Sequence, residues 1–200
     1  MLITVFTPTY NRAKLLPRLY KSLQEQTSKD FEWVIVDDGS TDNTKEVIDN
    51  IITQQENHFP IRYFYKENGG KHTAINQGAK IALGDLFLIL DSDDSLPIYS
   101  IERILFFYKT NKGRPDFGGV CGLMRHHDGT RIGSGFPFKT FYANTIELRY
   151  NYHITGDLSE VFKTDVLKEF PFCGFDPTAS SPHFPRDYWR NILSRGPFME

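Results

Sequence analysis

The sequence predicts an α/β fold, a single domain in which a mostly parallel central sheet carries helices on both faces. Short apolar segments rich in β-branched and aromatic residues alternate with segments whose apolar residues recur at helical spacing. This alternation is typical of parallel strands joined by helices. The chain has 200 residues, 40% of them hydrophobic, which suffices for one such domain.

The predicted strands are short apolar segments bounded by turn residues: 2–6, 33–36, 61–65 and 86–90. The predicted helices have apolar residues on one face: 15–23, 47–52, 73–83 and a fourth that begins near Pro97 and extends to 108. After residue 114 the alternation weakens, and we expect a strand at 117–123 followed by a polar turn at 126–130.

Charge and cysteine content exclude several classes of protein. With 23 basic and 25 acidic residues, a formal net charge of −2 and no long run of like charge, nucleic acid is not an expected partner. Cys121 and Cys173 are far apart in the sequence, so neither a disulfide framework nor a zinc site is predicted. No secretory signal or membrane span is expected either, and a reducing cytoplasm fits best.

Polar clusters follow each of the first four predicted strands: TPTYN, DDGSTDNT, ENGGKH and DSDD. In open parallel sheets, ligands bind at the carboxyl ends of the strands. We therefore expect the four clusters to line one pocket. The third cluster forms neither GxGxxG nor GxxxxGK[ST], so the dinucleotide fingerprint and the P-loop are not predicted.

The fourth cluster places Asp91, Asp93 and Asp94 within four residues, directly after a very apolar segment. Three carboxylates this close repel one another unless a cation shares the site. Oxygen ligands suit Mg²⁺ or Mn²⁺, which complete their coordination with water and phosphate. The cluster therefore predicts a site for a metal ion and a diphosphate, although an acidic turn that caps the next helix is the alternative.

The other clusters contain candidate groups for a nucleotide. Asp38 can accept a hydrogen bond from a base N–H or a ribose hydroxyl. The alternative is that Asp38 only ends a strand before a capped helix. Tyr10 offers a flat face for a base, unless it is a packing residue. Gly70 allows close approach of a ligand, and Lys71 and His72 precede a helix N-terminus, where anions bind; a surface turn with a solvated lysine is the alternative.

In order and spacing, TPTYN, DDGSTDNT, NGGKHTAINQG and LDSDD resemble the family-2 glycosyltransferases of the GT-A (nucleotide-diphospho-sugar transferase) fold, especially bacterial members of surface-polysaccharide pathways. The resemblance implies an inverting transferase that uses a nucleotide-sugar, commonly a UDP-sugar, with Mn²⁺ or Mg²⁺. It implies that Tyr10 stacks on the base, Asp38 recognises it, Asp93 contacts the ribose and Asp94 binds the metal. The expected nucleotide-sugar-binding residues are Pro8, Thr9, Tyr10, Asn11, Asp37, Asp38, Gly70, Lys71, Asn76, Asp91, Ser92 and Asp93, and the expected metal ligands are Asp93 and Asp94.

Inversion by direct displacement requires a carboxylate that deprotonates the acceptor hydroxyl. The candidates that follow the acidic cluster are Asp157, Glu160, Asp176 and Asp187. Asp187 is the first choice, because it opens a predicted short helix and resembles the family's late acidic residue that precedes an aromatic. Asp157 is the second choice. The alternative to a catalytic role is that Asp187 is only the first residue of a helix, where the helix dipole favours a negative charge.

We expect residues 1–110 to form the nucleotide-sugar-binding half of the domain and residues 111–200 the acceptor-side half, truncated at the C-terminus relative to family members. The expected acceptor is a saccharide or a lipid-linked saccharide, through which the protein could associate peripherally with the inner face of the membrane. A nucleotidyltransferase of similar fold and an inactive nucleotide-binding module are the alternatives. The donor sugar, the acceptor linkage and the oligomeric state are not indicated by the sequence.

Overall fold

The structure is a computed structural model that describes residues 2–53, 58–126, 128–135, 142–144 and 147–172, together with the backbone of a strand at 196–199. Its elements, in chain order, are β1 (Ile3–Thr9), α1 (Leu16–Gln24), β2 (Phe31–Asp37), α2 (Thr44–Thr53), β3 (Ile61–Tyr65), α3 (Lys71–Ile81), β4 (Leu86–Ile89), α4 (Ser100–Asn111), β5 (Gly119–Leu123), β6 (Tyr142–Ala143), a π-helical turn (Glu147–Asn151), β7 (Leu158–Lys163), α5 (Thr164–Glu169) and β8 (Gly196–Met199).

The strands form one sheet in the order β3-β2-β1-β4-β7-β5-β8-β6. The strands β3, β2, β1 and β4 are parallel, and β7 then runs antiparallel to both β4 and β5. The predicted α/β class with a mostly parallel central sheet is confirmed. As a result, the carboxyl ends of β1 to β4 lie along one edge of the sheet.

Helices cover both faces of the sheet, as predicted. Alternate residues of a strand point to opposite faces, so Ile3 and Val5 of β1 belong to the core cluster that contains the buried residues of α1, α2 and α4. Phe6 belongs to the second cluster, which contains buried residues of α3 and α5. Both faces of the central strands are therefore buried, which explains the continuous apolar runs Trp33 to Val36 of β2 and Leu86 to Ile89 of β4.

A glycine lets α3 lie close to the sheet. A Cβ added to Gly78 would lie 2.2 Å from a ring carbon of Phe6, which is fully buried. Two real atoms do not approach so closely, so a side chain at this position would push the helix away from β1. Close packing here fixes the position of α3, and with it the loop that precedes this helix.

Some boundaries differ from the sequence prediction. β1 continues to Thr9 because β2 supplies pairing partners up to Asp37, so the first three residues of the TPTYN motif lie in the strand. α4 begins at Ser100, after a turn in which Ser100 N donates to Pro97 O. Ile52, expected on the buried face of α2, is 38% exposed. The buried face of this helix consists of Thr44, Ile48 and Ile51 and is narrower than the sequence pattern predicts. Among the described residues, no helix has the length and apolar character that crossing a bilayer requires.

Candidate functional site

The loops that follow β1, β2, β3 and β4 meet at the carboxyl edge of the sheet. Asp38 N donates to Thr9 O at 2.8 Å, and Lys66 N donates to Asp37 O at 2.9 Å. These bonds extend the strand pairing into the loops. The structure therefore brings the polar clusters together, as the sequence predicts.

The carboxylate of Asp38 holds the loop between β3 and α3. Asp38 is buried; Lys66 Nζ donates to its Oδ1, Gly69 N donates to Oδ1 at 3.0 Å, and Gly70 N donates to Oδ2 at 2.7 Å. Burial by itself would raise the pKa of Asp38, but the bonds from Lys66 and the two amides outweigh it and lower the pKa. Asp38 is thus a stabilised anion at neutral pH, and its ability to recognise a base stays a prediction.

Asp37 is almost fully buried and turns inward. Its Oδ1 accepts from Ser40 N at 2.8 Å, and its Oδ2 accepts from the hydroxyl of Tyr63 at 2.8 Å. Burial, together with the bond to Asp37, raises the pKa of Tyr63 well above its usual range. Asp37 therefore shapes the turn after β2, and its predicted contact with a nucleotide stays a prediction.

The loop after β1 is tied to the loop after β2 through Asn11. Asn11 has a left-handed backbone with φ of 53°, and its Oδ1 accepts from Thr41 N at 2.8 Å and from Asp42 N at 3.2 Å. Next to it, Tyr10 is 48% exposed, so its ring is available for stacking. Thr9 Oγ1 is buried and has no hydrogen-bond partner among the described residues.

The predicted metal ligands Asp93 and Asp94 lie close together, and Asp91 lies close to both. One carboxylate oxygen from each of Asp91, Asp93 and Asp94 lies within 4.8 Å of the others. Burial raises the pKa of Asp94, and the charges of Asp91 and Asp93 raise it further. Crowded carboxylates of this kind, with oxygen donors, fit Mn²⁺ or Mg²⁺.

Two cations lie beside this acidic cluster. Lys71 Nζ, at the start of α3, is 2.6 Å from Asp91 Oδ2, and the side chain of Lys71 remains 56% exposed. Arg18 of α1 donates to the carbonyl oxygen of Asp93. Lys71 was predicted from the ENGGKH motif, whereas no local pattern marks Arg18.

Other predicted binding residues have structural partners. Asn76 of α3 makes two hydrogen bonds of 2.8 Å with the backbone of Phe172, one through Nδ2 and one through Oδ1. Ser92 is buried, and Pro8 lies within β1 and is partly buried. Their contacts with a nucleotide-sugar stay predictions.

The residues predicted for the acceptor side are only partly described. Asp157 is exposed and directly precedes β7, whereas Glu160 lies within β7 and is partly buried. Asp187 and Asp176 lie outside the described residues. The choice of Asp187 as the base therefore stays a prediction.

The sequence reasoning missed Lys66 as part of the site. Lys66 directly precedes the ENGG segment. Its side chain is 20% exposed and forms an ion pair with Asp38. A lysine next to a glycine-rich turn was a usable signal, but its partner is 28 residues away in the sequence. Only the pairing of β2 with β3 brings the two together.

An open, mostly parallel sheet with clustered carboxylates at the end of a central strand is the arrangement of the GT-A nucleotide-sugar transferase fold. The sequence model of the family described as "Glycosyl transferase family 2" matches residues 4–169. The chain therefore belongs to glycosyl transferase family 2.

Two bacterial relatives illustrate the similarity. The "GalNAc(5)-diNAcBac-PP-undecaprenol beta-1,3-glucosyltransferase" of Campylobacter jejuni is 35% identical over 172 residues, which cover 85% of this chain and 54% of the relative. An uncharacterized glycosyltransferase of Nostoc sp. is 36% identical over 128 residues, 64% of this chain and 37% of the relative. The chain thus spans between a third and two thirds of the length of these proteins.

Solved structures share the fold. S. aureus TarS superposes with a TM-score of 0.71 at 25% identity, over 86% of this chain and 30% of TarS. TarS 1-349 in complex with UDP gives a TM-score of 0.68 at 25% identity, over 86% of this chain and 50% of that one. A third structure is the mannosyltransferase PcManGT from Pyrobaculum calidifontis, in complex with GDP-Man and Mn2+. Its similarity is one of fold only, with a TM-score of 0.57 at 22% identity over 84% of this chain and 46% of PcManGT.

Proposed function

We propose that this chain contains the donor site of an inverting glycosyltransferase that transfers a sugar from a UDP-sugar to a saccharide or lipid-linked saccharide. The observation that carries the proposal is the cluster of Asp91, Asp93 and Asp94 at the carboxyl end of β4. TarS in complex with UDP supports the choice of nucleotide. The name of the C. jejuni relative, which acts on a saccharide linked to PP-undecaprenol, supports the class of acceptor.

Asp93 and Asp94 would hold Mn²⁺ or Mg²⁺, which supplies positive charge for the leaving nucleoside diphosphate. Tyr10, exposed beside Asp38, would stack on the base, and Asp38 would accept its imide N–H. Lys71 is within reach of the same cluster and would contact a phosphate at the N-terminus of α3. These residues bind and orient the donor.

Deprotonation of the acceptor hydroxyl is assigned to Asp187, with Asp157 as the second candidate. Asp187→Asn should bind UDP and Mn²⁺ as the parent does, and should lose turnover by on the order of 10² to 10⁴. Full activity of Asp187→Asn together with an inactive Asp157→Asn would move the assignment to Asp157. Activity of both variants would place the base elsewhere.

The test of the function is calorimetry of UDP binding with and without Mn²⁺, followed by incubation with UDP-sugars and an assay for free UDP. We expect metal-dependent UDP binding, and UDP release when a saccharide acceptor is present. Release of pyrophosphate from UTP would instead indicate a nucleotidyltransferase. Binding of UDP without any turnover would indicate an inactive nucleotide-binding module.

A further inference from the structure

Glu160 is a carboxylate near the acidic cluster that the reaction above leaves without a role. It lies within β7, the strand that pairs with β4 on one side and β5 on the other. Its pKa is raised by burial, and the charge of Arg149 opposes this rise. A half-buried carboxylate in the middle of a sheet needs an explanation, because burial of a carboxylate is costly unless the charge is compensated.

The strand register places Glu160 close to the proposed donor site. Val161 is paired with Leu88 of β4 in antiparallel register, so Glu160 lies beside Ile89, two residues before Asp91. With strands about 5 Å apart and a rise of about 3.3 Å per residue, the Cα atoms of Glu160 and Asp91 are on the order of 8 Å apart. A group bound at the acidic cluster is therefore within reach of Glu160.

Glu160 also lies on the face of the sheet where α3 begins. Phe162, two residues further along β7, packs in the core cluster that contains the buried residues of α3. Side chains two residues apart in a strand point to the same face, so Glu160 shares this face. The loop that ends at Gly70 lies on this same face of the sheet, where its amide N–H donates to Asp38.

The carboxylate of Glu160 has no hydrogen-bond donor among the residues for which the structure describes side chains. The cation with the clearest effect on it is Arg149. However, Arg149 Nη1 already donates to the carbonyl oxygens of Ile154 and Gly156, both at 2.9 Å, and no ion pair joins these two described residues. Within the described part of the chain, both oxygens of Glu160 are therefore left without a donor, as a site for a ligand hydroxyl requires.

We propose that Glu160 accepts a hydrogen bond from a hydroxyl group of the sugar that is transferred, and so contributes to the choice of donor sugar. The inference rests on the proposed function, because it requires a UDP-sugar whose diphosphate lies at the acidic cluster. The sugar is joined to that diphosphate, and its hydroxyls are donors that a carboxylate binds strongly. Glu160 would thus be a specificity residue rather than the base.

The test compares Glu160→Gln with Glu169→Gln, which removes the same charge from an exposed position on α5. The probes are UDP and a panel of UDP-glucose, UDP-galactose, UDP-GlcNAc and UDP-GalNAc, each titrated calorimetrically with Mn²⁺. For Glu160→Gln we expect UDP to bind as it does to the parent, and the Kd of the preferred UDP-sugar to rise about tenfold, since bonds to charged groups are the stronger ones. For Glu169→Gln we expect no change.

A second variant separates a direct contact from a general effect of charge. Glu160→Asp keeps the charge but withdraws the carboxylate by one methylene, so the order of preference among the four sugars should change. Unaltered UDP affinity in both Glu160 variants shows that they are folded.

The two proposals fail in different ways. If the parent binds no UDP in the presence of Mn²⁺, the donor site itself is wrong, and the inference about Glu160 is overturned with it. If UDP binds but the ratio of UDP to UDP-sugar affinity is the same in Glu160→Gln as in the parent, only the role of Glu160 is overturned. A defect that appears solely when an acceptor is added would also overturn it, and would place Glu160 on the acceptor side.

Discussion

Replacement of Asp38 by alanine should destabilise the protein strongly, although Asp38 was predicted as a ligand-binding residue. The side chain of Asp38 is 6% exposed and that of Lys66 is 20% exposed. Asp38→Ala leaves the Lys66 ammonium and the amides of Gly69 and Gly70 without their acceptor. The loop between β3 and α3 then loses the side-chain part of its attachment to β2, whereas the bonds from Lys66 N to Asp37 O and from Asn68 Nδ2 to Asp38 O remain.

The magnitude follows from the number and kind of lost contacts. Removing one partner of a buried ion pair costs about 3 to 5 kcal/mol. Because Lys66 is partly exposed and can recover some hydration, we expect about 3 kcal/mol. For a domain of this size, that loss lowers the midpoint of thermal unfolding by roughly 6 to 12 °C.

The loss should depend on pH in a defined direction. The folded-state pKa of Asp38 is lower than its ordinary value, so its stabilising contribution is fully present above the unfolded pKa of about 3.9. The contribution disappears as the pH falls through the lower folded pKa. The difference in unfolding free energy between the parent and Asp38→Ala should therefore be constant near pH 7 and shrink below about pH 4.

The assay is urea unfolding of the full chain between pH 3 and pH 7, with Glu46→Gln as the control. Glu46 is exposed in the first turn of α2, so its replacement should change stability by less than about 0.5 kcal/mol. An Asp38→Ala protein as stable as the parent at pH 7 would refute the structural role. A difference that stays constant down to pH 3 would refute the assignment of the effect to the charge of Asp38.

Two further predictions concern the metal site and the packing of α3. Asp94→Ala should abolish the Mn²⁺-dependent part of UDP binding, which calorimetry measures. The unfolding temperature, measured in a thermal melt, should stay unchanged or rise, because burial and the neighbouring carboxylates already disfavour the charge of Asp94. UDP binding to Asp94→Ala that still depends on Mn²⁺ would refute the assignment of the metal site. Gly78→Ala should cost about 1 to 3 kcal/mol, because the new Cβ meets the ring of Phe6. Gly113→Ala, with no atom within 4 Å of its added Cβ, is the matched control in the same melt, and equal stability of the two variants would contradict the close packing.

The strands of the parallel half of the sheet and the helices that pack on it could be predicted because the sequence patterns that mark them are local. Leu16, Leu19 and Leu23 recur at helical spacing and are all buried in α1. The apolar segment at β4 is bounded by Gly84 and by the acidic cluster, so its position is marked at both ends. The cluster of Asp91, Asp93 and Asp94 was found for the same reason, since its members adjoin one another in sequence.

The chain after residue 114 was harder to predict because the pattern there is mixed. β7 lies between β4 and β5 although it follows β5 in sequence, and it is antiparallel to both. No local signal in the segment Leu158–Lys163 specifies those partners. Its pairing with β4 sets the register that brings Glu160 next to Ile89, two residues before Asp91.

The sequence by itself determined which segments form β1 to β5 and which carboxylates gather after β4. Only the tertiary structure decided what the other polar side chains do. Glu32, fully buried in β2, accepts from Thr4 Oγ1 at 2.7 Å and from Leu83 N at 2.8 Å. Asn76 bonds to the backbone of Phe172, 96 residues away. A side chain in a local pattern can be recognised from its neighbours, but a hydrogen-bond partner is chosen by strand register and helix packing, which bring distant residues together.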